Sequence, residues 1–441
     1  MNKLLGNYDK PILIGSCAVI LILGVLCMAF TESFGAFWNA LNGVICTTFG
    51  WWYFMVLGIA FIFLLILGAS KYGKLKLGKP GDKPRYTTFT WVAMVFSAGI
   101  GVSLYFYVIL EPLSHFEYTP YLANSGTVPE AAMQAMAITV HHNGIVGWSA
   151  FCVVAVALAY AAYRLDKPLS FVSSLYGVFG EKTQGPLGRI ITFLYVIVTI
   201  AGLTTTLGLG VMSISYMFQM LTGIATNAVV QLVILFIITA VIIISVAAGI
   251  EKGMAKMSNI NIIIALGVTA FVLIMGPTVF LMNLFPDTIA SFITSFPYML
   301  FHVDALNVSE GWMSGWTIFY WAWWIAWAPF VGSFLAKISK GRSLRSLIYG
   351  GIFLPALLMI ILQVILGGTA LNMHLNGVSA IWEACSIQPE AALGAFMDQM
   401  PLGNIFLAVT MINVVLFVAT SVDAGANSIS SGFTIGTAEP T

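Results

Sequence analysis

The chain has 441 residues, 59% of them hydrophobic and only 8% charged, with a formal net charge of +1. A soluble domain carries roughly 25% charged residues, so a water-soluble globular protein is excluded and no nucleic-acid partner is expected. Apolar runs recur from end to end, which makes this an all-α polytopic membrane protein whose principal partner is the lipid bilayer.

The first apolar run, 11–30, follows a short polar head. A secretory signal core is roughly 7–15 residues and ends at a small-residue cleavage site. Neither holds, so this run is read as the first retained span. Further spans are predicted near 50–69, 89–110, 138–163, 190–218, 227–248, 258–284, 314–336, 346–367 and 404–424, ten in all. The segments 1–10, 70–88, 164–189, 249–257 and 337–345 hold all eighteen Lys and Arg. The intervening loops hold none but carry acids, among them Glu32, Glu117, Glu130, Asp287, Asp304, Glu310, Glu383, Glu390 and Asp398. Basic residues concentrate on the cytoplasmic side. The N-terminus is therefore placed in the cytoplasm, with the chain in a cell (inner or plasma) membrane.

The chain divides into two spans at 1–88, five at 89–285, a segment at 286–313, three spans at 314–424 and a polar tail at 425–441. FPDTIASFITSFPYMLF, within 285–313, is read as an amphipathic helix at the outer interface, too short and broken to span. Cys17, Cys27 and Cys152 sit in apolar runs and are read as core residues. Cys46 and Cys385 fall in outer loops, and no disulfide is assigned.

Three segments depart from plain lipid-facing helix. In the third span, SAGIGVS places Gly99 and Gly101 where they permit close approach or local unwinding. Unwound backbone in a membrane is tolerated only against protein or a water-filled cavity, and it marks sites in secondary transporters. A small-residue packing face is the alternative. In the eighth span, WTIFYWAWWIAWAPF carries Trp316, Tyr320, Trp323, Trp324 and Trp327 at spacings that share one face. An interfacial belt explains rings at a helix end, but these run about 21 Å at 1.5 Å per residue, and Pro329 then bends the helix. Aromatic faces attract a cation that has no proton to lose, each contact contributing about 0.5–2 kcal/mol. In the tenth span, Thr420 and Ser421 in FVATSVD offer hard oxygens to a small cation. Hydroxyls bonding back to the carbonyl four residues earlier are the alternative. Asp423 is placed at the inner end of that helix.

WTIFYWAWWIAWAPFVGSFLAKISKGRSLR resembles the signature of the betaine/choline/carnitine transporter family. The likeness continues through FSAGIGVSLYFYVILEPLSHF, GIEKGMAKMSNINI, MGPTVFLMNLFPDTI and VATSVDAGANS, covering nearly the whole chain in order. It implies a LeuT-type fold. Two inverted five-helix repeats follow two extra helices, the first repeat at 89–285 and the second at 314–424. It also implies a carrier of quaternary ammonium compounds and a homotrimer. Carried over residue by residue, the resemblance puts an aromatic box on Trp323, Trp324, Trp327 and Trp148. Asn143 stands where the family usually has a tryptophan, and Phe151 where many members have tyrosine. Gly99, Gly101 and Ser103 occupy the family's glycine motif. Ser103 lacks the acid of some choline carriers, which favours a zwitterion such as glycine betaine. One sodium site matches Ser97, Ile100, Phe417, Thr420 and Ser421. A second keeps Thr199 and Phe330 but has Leu203 where a threonine is expected. Sodium symport through one site, with no cofactor beyond the coupling ion, is the resulting expectation.

The family has twelve helices, so the resemblance implies a second repeat lacking its last two. The competing readings are a proton-coupled or exchange carrier of choline or carnitine, and a truncated binding protein that does not transport. An enzyme finds no nucleophile–base arrangement, and the five histidines suggest no metal-ligand constellation with acids.

Overall fold

The computed structural model describes residues 9–118, 127–309 and 311–433. The head 1–8, the outer-loop stretch 119–126, the acid Glu310 and the tail residues 434–441 lie outside the described residues. Regular structure among those described is helical, apart from one isolated bridge between Lys76 and Ser343. In chain order come α1 (Lys10–Ala29), α2 (Thr31–Ala69), α3 (Thr88–Ile100), α4 (Ser103–Glu117), α5 (Val128–Asn143) and α6 (Ile145–Arg164). Then follow α7 (Pro186–Thr222), α8 (Ala228–Gly249), α9 (Ala255–Met275), α10 (Thr278–Phe301), α11 (Phe319–Ile338), α12 (Leu344–Leu362), α13 (Gly368–Leu375) and α14 (Gly403–Phe433). Short helices at Ala380–Ile387 and Ala392–Asp398 fill the connection before α14.

Each of the ten expected spans has its helix. By length and composition nine described helical stretches can cross a membrane, with α5–α6, α8–α9 and α12–α13 each taken as one and α10 included, or ten when the bent pair α3–α4 counts as one. The pair bends by 66°. Gly101 sits in the break at φ 54, ψ −134, a conformation that residues with a Cβ rarely adopt. A second reversal separates α8 from α9. Gly249 has φ 78, and a Cβ on Gly253 would lie 2.2 Å from the Ser245 carbonyl. In a straight helix, eight residues rise about 12 Å, so the chain folds back on itself here.

The basic segments gather at one end of the bundle. Arg345 donates to the carbonyls of Gly68, Ala69 and Ser70, capping the end of α2. Arg342 reaches the Tyr86 carbonyl, Arg85 pairs with Glu251 at 2.5 Å, and Arg189 pairs with Asp9 at 3.0 Å. Large apolar side chains such as Phe236, Ile244 and Val279 stand exposed on the outside of the bundle, as helices solvated by lipid require.

Several boundaries differ from the sequence reading. The seventh span ends at Met275, and α10 begins at Thr278 and stays helical through Pro286 and Pro297 for 24 residues. The segment read as a broken interfacial piece is one continuous helix. α14 runs on to Phe433, through the first residues of the expected tail. Asp423 is therefore inside the helix, buried, and accepts from Ser245. Cys17 and Cys27 face outward while Cys152 is buried. Cys46 and Cys385 lie in helices, are buried and are free thiols.

Candidate functional site

α6 and α11 pack more extensively on each other than any other helix pair. Their approach depends on small residues. A Cβ on Gly332 would meet Val154 at 2.6 Å, and one on Gly147 would fall 2.2 Å from the Trp324 ring. The absent side chains let Trp324 lie against α6, where its Nε1 donates to the His142 carbonyl at 2.8 Å. α3 crosses the same region. A Cβ on Gly99 would meet Trp148 and Phe151, each at 2.8 Å.

These close approaches line a narrow, partly open pocket. Its lining is Gly99, Ile100, Ser103, Asn143, Phe151, Tyr320, Trp323, Trp324 and Trp327. Five aromatic rings thus face one space, and no carboxylate is in the lining. Trp323 and Trp327 meet edge to face at 5.9 Å, and Phe151 lies 4.9 Å from Trp324. The Trp327 Nε1 is buried with no acceptor among the described residues, so a donor is available at the wall. Ser103 Oγ donates back to the Ile100 carbonyl at 2.5 Å.

Of the sequence-expected substrate residues, the pocket collects Gly99, Ser103, Asn143, Phe151, Trp323, Trp324 and Trp327. Trp148 stands behind this lining, 5.6 Å from Phe151, 5.4 Å from Trp324 and stacked on Phe96. Gly101 lies at the inner edge, where a Cβ would be 3.0 Å from both Trp327 and Ser421. Trp321 and Trp316 are outside the pocket, against Phe54 and His115 respectively.

Two residues at or behind the pocket are not among the expected site residues. Tyr320 lines the wall; it shares the aromatic face of α11 but is not among the residues carried over. Glu111 falls one residue past the expected third span, 89–110. It is fully buried in α4 and forms the centre of a polar cluster. Its Oε2 accepts from Asn143 Nδ2 at 2.9 Å and from the Tyr320 hydroxyl at 2.7 Å. Its Oε1 lies 2.5 Å from His142 Nδ1 and 3.1 Å from His115 Nε2. The absence of a histidine–acid constellation expected from the sequence is therefore corrected. The i,i+4 spacing of Glu111 and His115 was visible, but nothing in the sequence showed that a second helix would bring His142 to them.

Below the break, α14 crosses α3. Ser421 Oγ donates to the Ser97 carbonyl at 2.8 Å, and Thr420 Oγ1 reaches the same carbonyl at 3.5 Å and the Phe417 carbonyl at 3.0 Å. Ser97, Phe417, Thr420 and Ser421 are thus together, with Ile100 one helical turn along α3. A buried chain of hydrogen bonds supports the crossing. Tyr105 donates to Asn413 at 2.6 Å, Asn413 bonds Asn261, and Asn261 donates to Ser97 Oγ at 3.3 Å. For the second expected ion site, Thr199 is buried in α7, and the Phe330 carbonyl already accepts from Ser428 at 2.9 Å. Leu203 is turned toward Gly425.

Residues 11–441 match the profile of the family described as "BCCT, betaine/carnitine/choline family transporter". The chain is 35% identical to the osmo-dependent choline transporter of Acinetobacter baylyi, over 93% of this chain and 60% of that protein. It is 34% identical to the high-affinity choline transport protein of Escherichia coli, over 95% and 61%. It is 35% identical to a glycine betaine transporter of Bacillus subtilis, over 86% and 74%. The chain thus spans about three fifths of the length of the first two.

Proposed function

The chain belongs to the betaine/carnitine/choline transporter family, and from that premise we propose that it is a secondary carrier. Its substrate is a quaternary ammonium compound, with a glycine betaine-like zwitterion favoured, taken up across a cell membrane together with sodium. The observation that carries this is the pocket: five rings converge on it and no acid lines it. A methylated ammonium has no N–H to donate, so ring faces do for it what a carboxylate does for an amine. The Trp327 indole N–H offers a donor to a substrate carboxylate. Choline is the second reading. It is favoured by the Glu111 carboxyl group one hydrogen bond behind Asn143 and Tyr320.

Replacing Trp323 by Leu removes one face. At about 0.5–2 kcal/mol per contact, affinity for glycine betaine falls roughly 2- to 30-fold, read by tryptophan-fluorescence titration of the purified chain. Unchanged affinity would refute the cage.

Sodium coupling is supported by the neutral oxygens at the α3–α14 crossing, Ser421 Oγ, Thr420 Oγ1 and the Ser97 carbonyl, which are donors of the class that hard cations take. Replacing Ser421 by Ala raises the sodium concentration for half-maximal uptake about tenfold, corresponding to about 1.4 kcal/mol. The assay is radiolabelled uptake of glycine betaine, choline and carnitine into proteoliposomes with and without a sodium gradient. Uptake of all three indifferent to sodium sinks the symport reading. Binding without uptake favours a non-transporting binding protein.

A further inference from the structure

We propose that Glu111, His115 and His142 form a binding site for a divalent transition cation of the zinc class, directly behind the wall of the substrate pocket and distinct from the sodium oxygens. One ligand atom from each residue lies within 4.8 Å of the others. Glu111 and His115 are one turn apart on α4 and share a face, and His142 comes from the end of α5. A cation held by all three joins two helices. Two imidazoles and a carboxylate are a donor set that such cations take, with room left for a water or a further ligand. All three side chains are fully buried.

Three features distinguish the cluster from an incidental contact. Two of the three ligands are themselves oriented: Glu111 Oε2 is fixed by Asn143 and Tyr320, and His142 Nε2 lies 2.9 Å from Thr317 Oγ1. Such outer hydrogen bonds set the tautomer and direction of metal-ligating groups. With Nδ1 on the cation, His142 carries its proton on Nε2 and donates to Thr317. Next, the rings of Trp312 and Trp316 pack on His115, at 5.2 and 4.6 Å, and shield the site from water. Finally, a carboxylate removed from water is expensive unless compensated, and a divalent cation compensates it more fully than neutral donors do. His141 takes no part; it faces Trp321 and Phe296 instead.

The test is calorimetric titration of zinc chloride into the full chain, purified in detergent with a tag that contains no histidine. One saturable zinc per chain is expected. Loss of even an outer partner of a metal ligand weakens metals by about 10–100-fold, so removal of a ligand in His115→Gln is expected to weaken zinc at least tenfold. His374→Gln, which breaks the separate His374–Glu117 pair near the surface, is expected to leave it unchanged. Cobalt in place of zinc should give visible absorption bands that His115→Gln abolishes. If His115→Gln proves unstable, Glu111→Gln, which keeps the shape, takes its place in the same titration. No saturable zinc binding, or binding that survives both His115→Gln and Glu111→Gln, overturns the proposal.

Discussion

Gly147→Ala is expected to weaken quaternary ammonium binding by roughly 10- to 4000-fold. The added Cβ would stand 2.2 Å from the Trp324 ring. Both groups are held on helices that pack tightly, so the ring must leave its place. Its departure removes one cation–π wall, about 0.5–2 kcal/mol. It also breaks the 2.8 Å bond to the His142 carbonyl, and a buried partner left unpaired costs about 1–3 kcal/mol. The sum is about 1.5–5 kcal/mol, and each 1.4 kcal/mol is tenfold. Equilibrium binding of labelled glycine betaine and choline to purified protein reads the effect, with monodispersity on gel filtration as the fold control. An affinity within threefold of the parent would show that Trp324 is not part of the cage.

If the proposed sodium coupling holds, Gly101→Ala is expected to reduce sodium-stimulated uptake by at least about 100-fold, because it strikes both proposed sites at once. Its φ 54, ψ −134 conformation strains any residue with a Cβ by about 1–3 kcal/mol. That Cβ would also press on Trp327 from one side and Ser421 from the other, 3.0 Å from each. Relief requires re-forming the break between α3 and α4, which moves the pocket wall and the Ser97 carbonyl together. Substrate affinity and sodium affinity should therefore fall in parallel. A variant that loses one tenfold while keeping the other would show that Gly101 does not connect them.

How much of this was legible depended on range along the chain. Glycines 99 and 101 signalled a break because backbone freedom is a property of single residues, and the helix does break at Gly101. The rings of α11 were legible because helical spacing alone puts Trp323 and Trp327 on one face. Asn143 and Phe151 came only by alignment with a family pattern, since nothing local says that α6 will face α11. Glu111 was misplaced for a definite reason. One residue past the expected span and next to Pro112, an acid reads as solvated, and its burial follows from partners 32 and 209 residues away.

The sequence by itself determined that this is a multi-pass helical membrane protein with its basic residues in alternate connections, and which segments are unusual. Those properties are carried by composition and by periods of a few residues. The tertiary structure alone decided that Tyr320 and Asn143 share a pocket wall, that Glu111 links that wall to two histidines, and that Asp423 is buried in mid-helix. Each of these depends on which helix faces which. Helix pairing is settled by close approach at residues such as Gly147 and Gly332, whose partners lie far along the chain and leave no periodic trace.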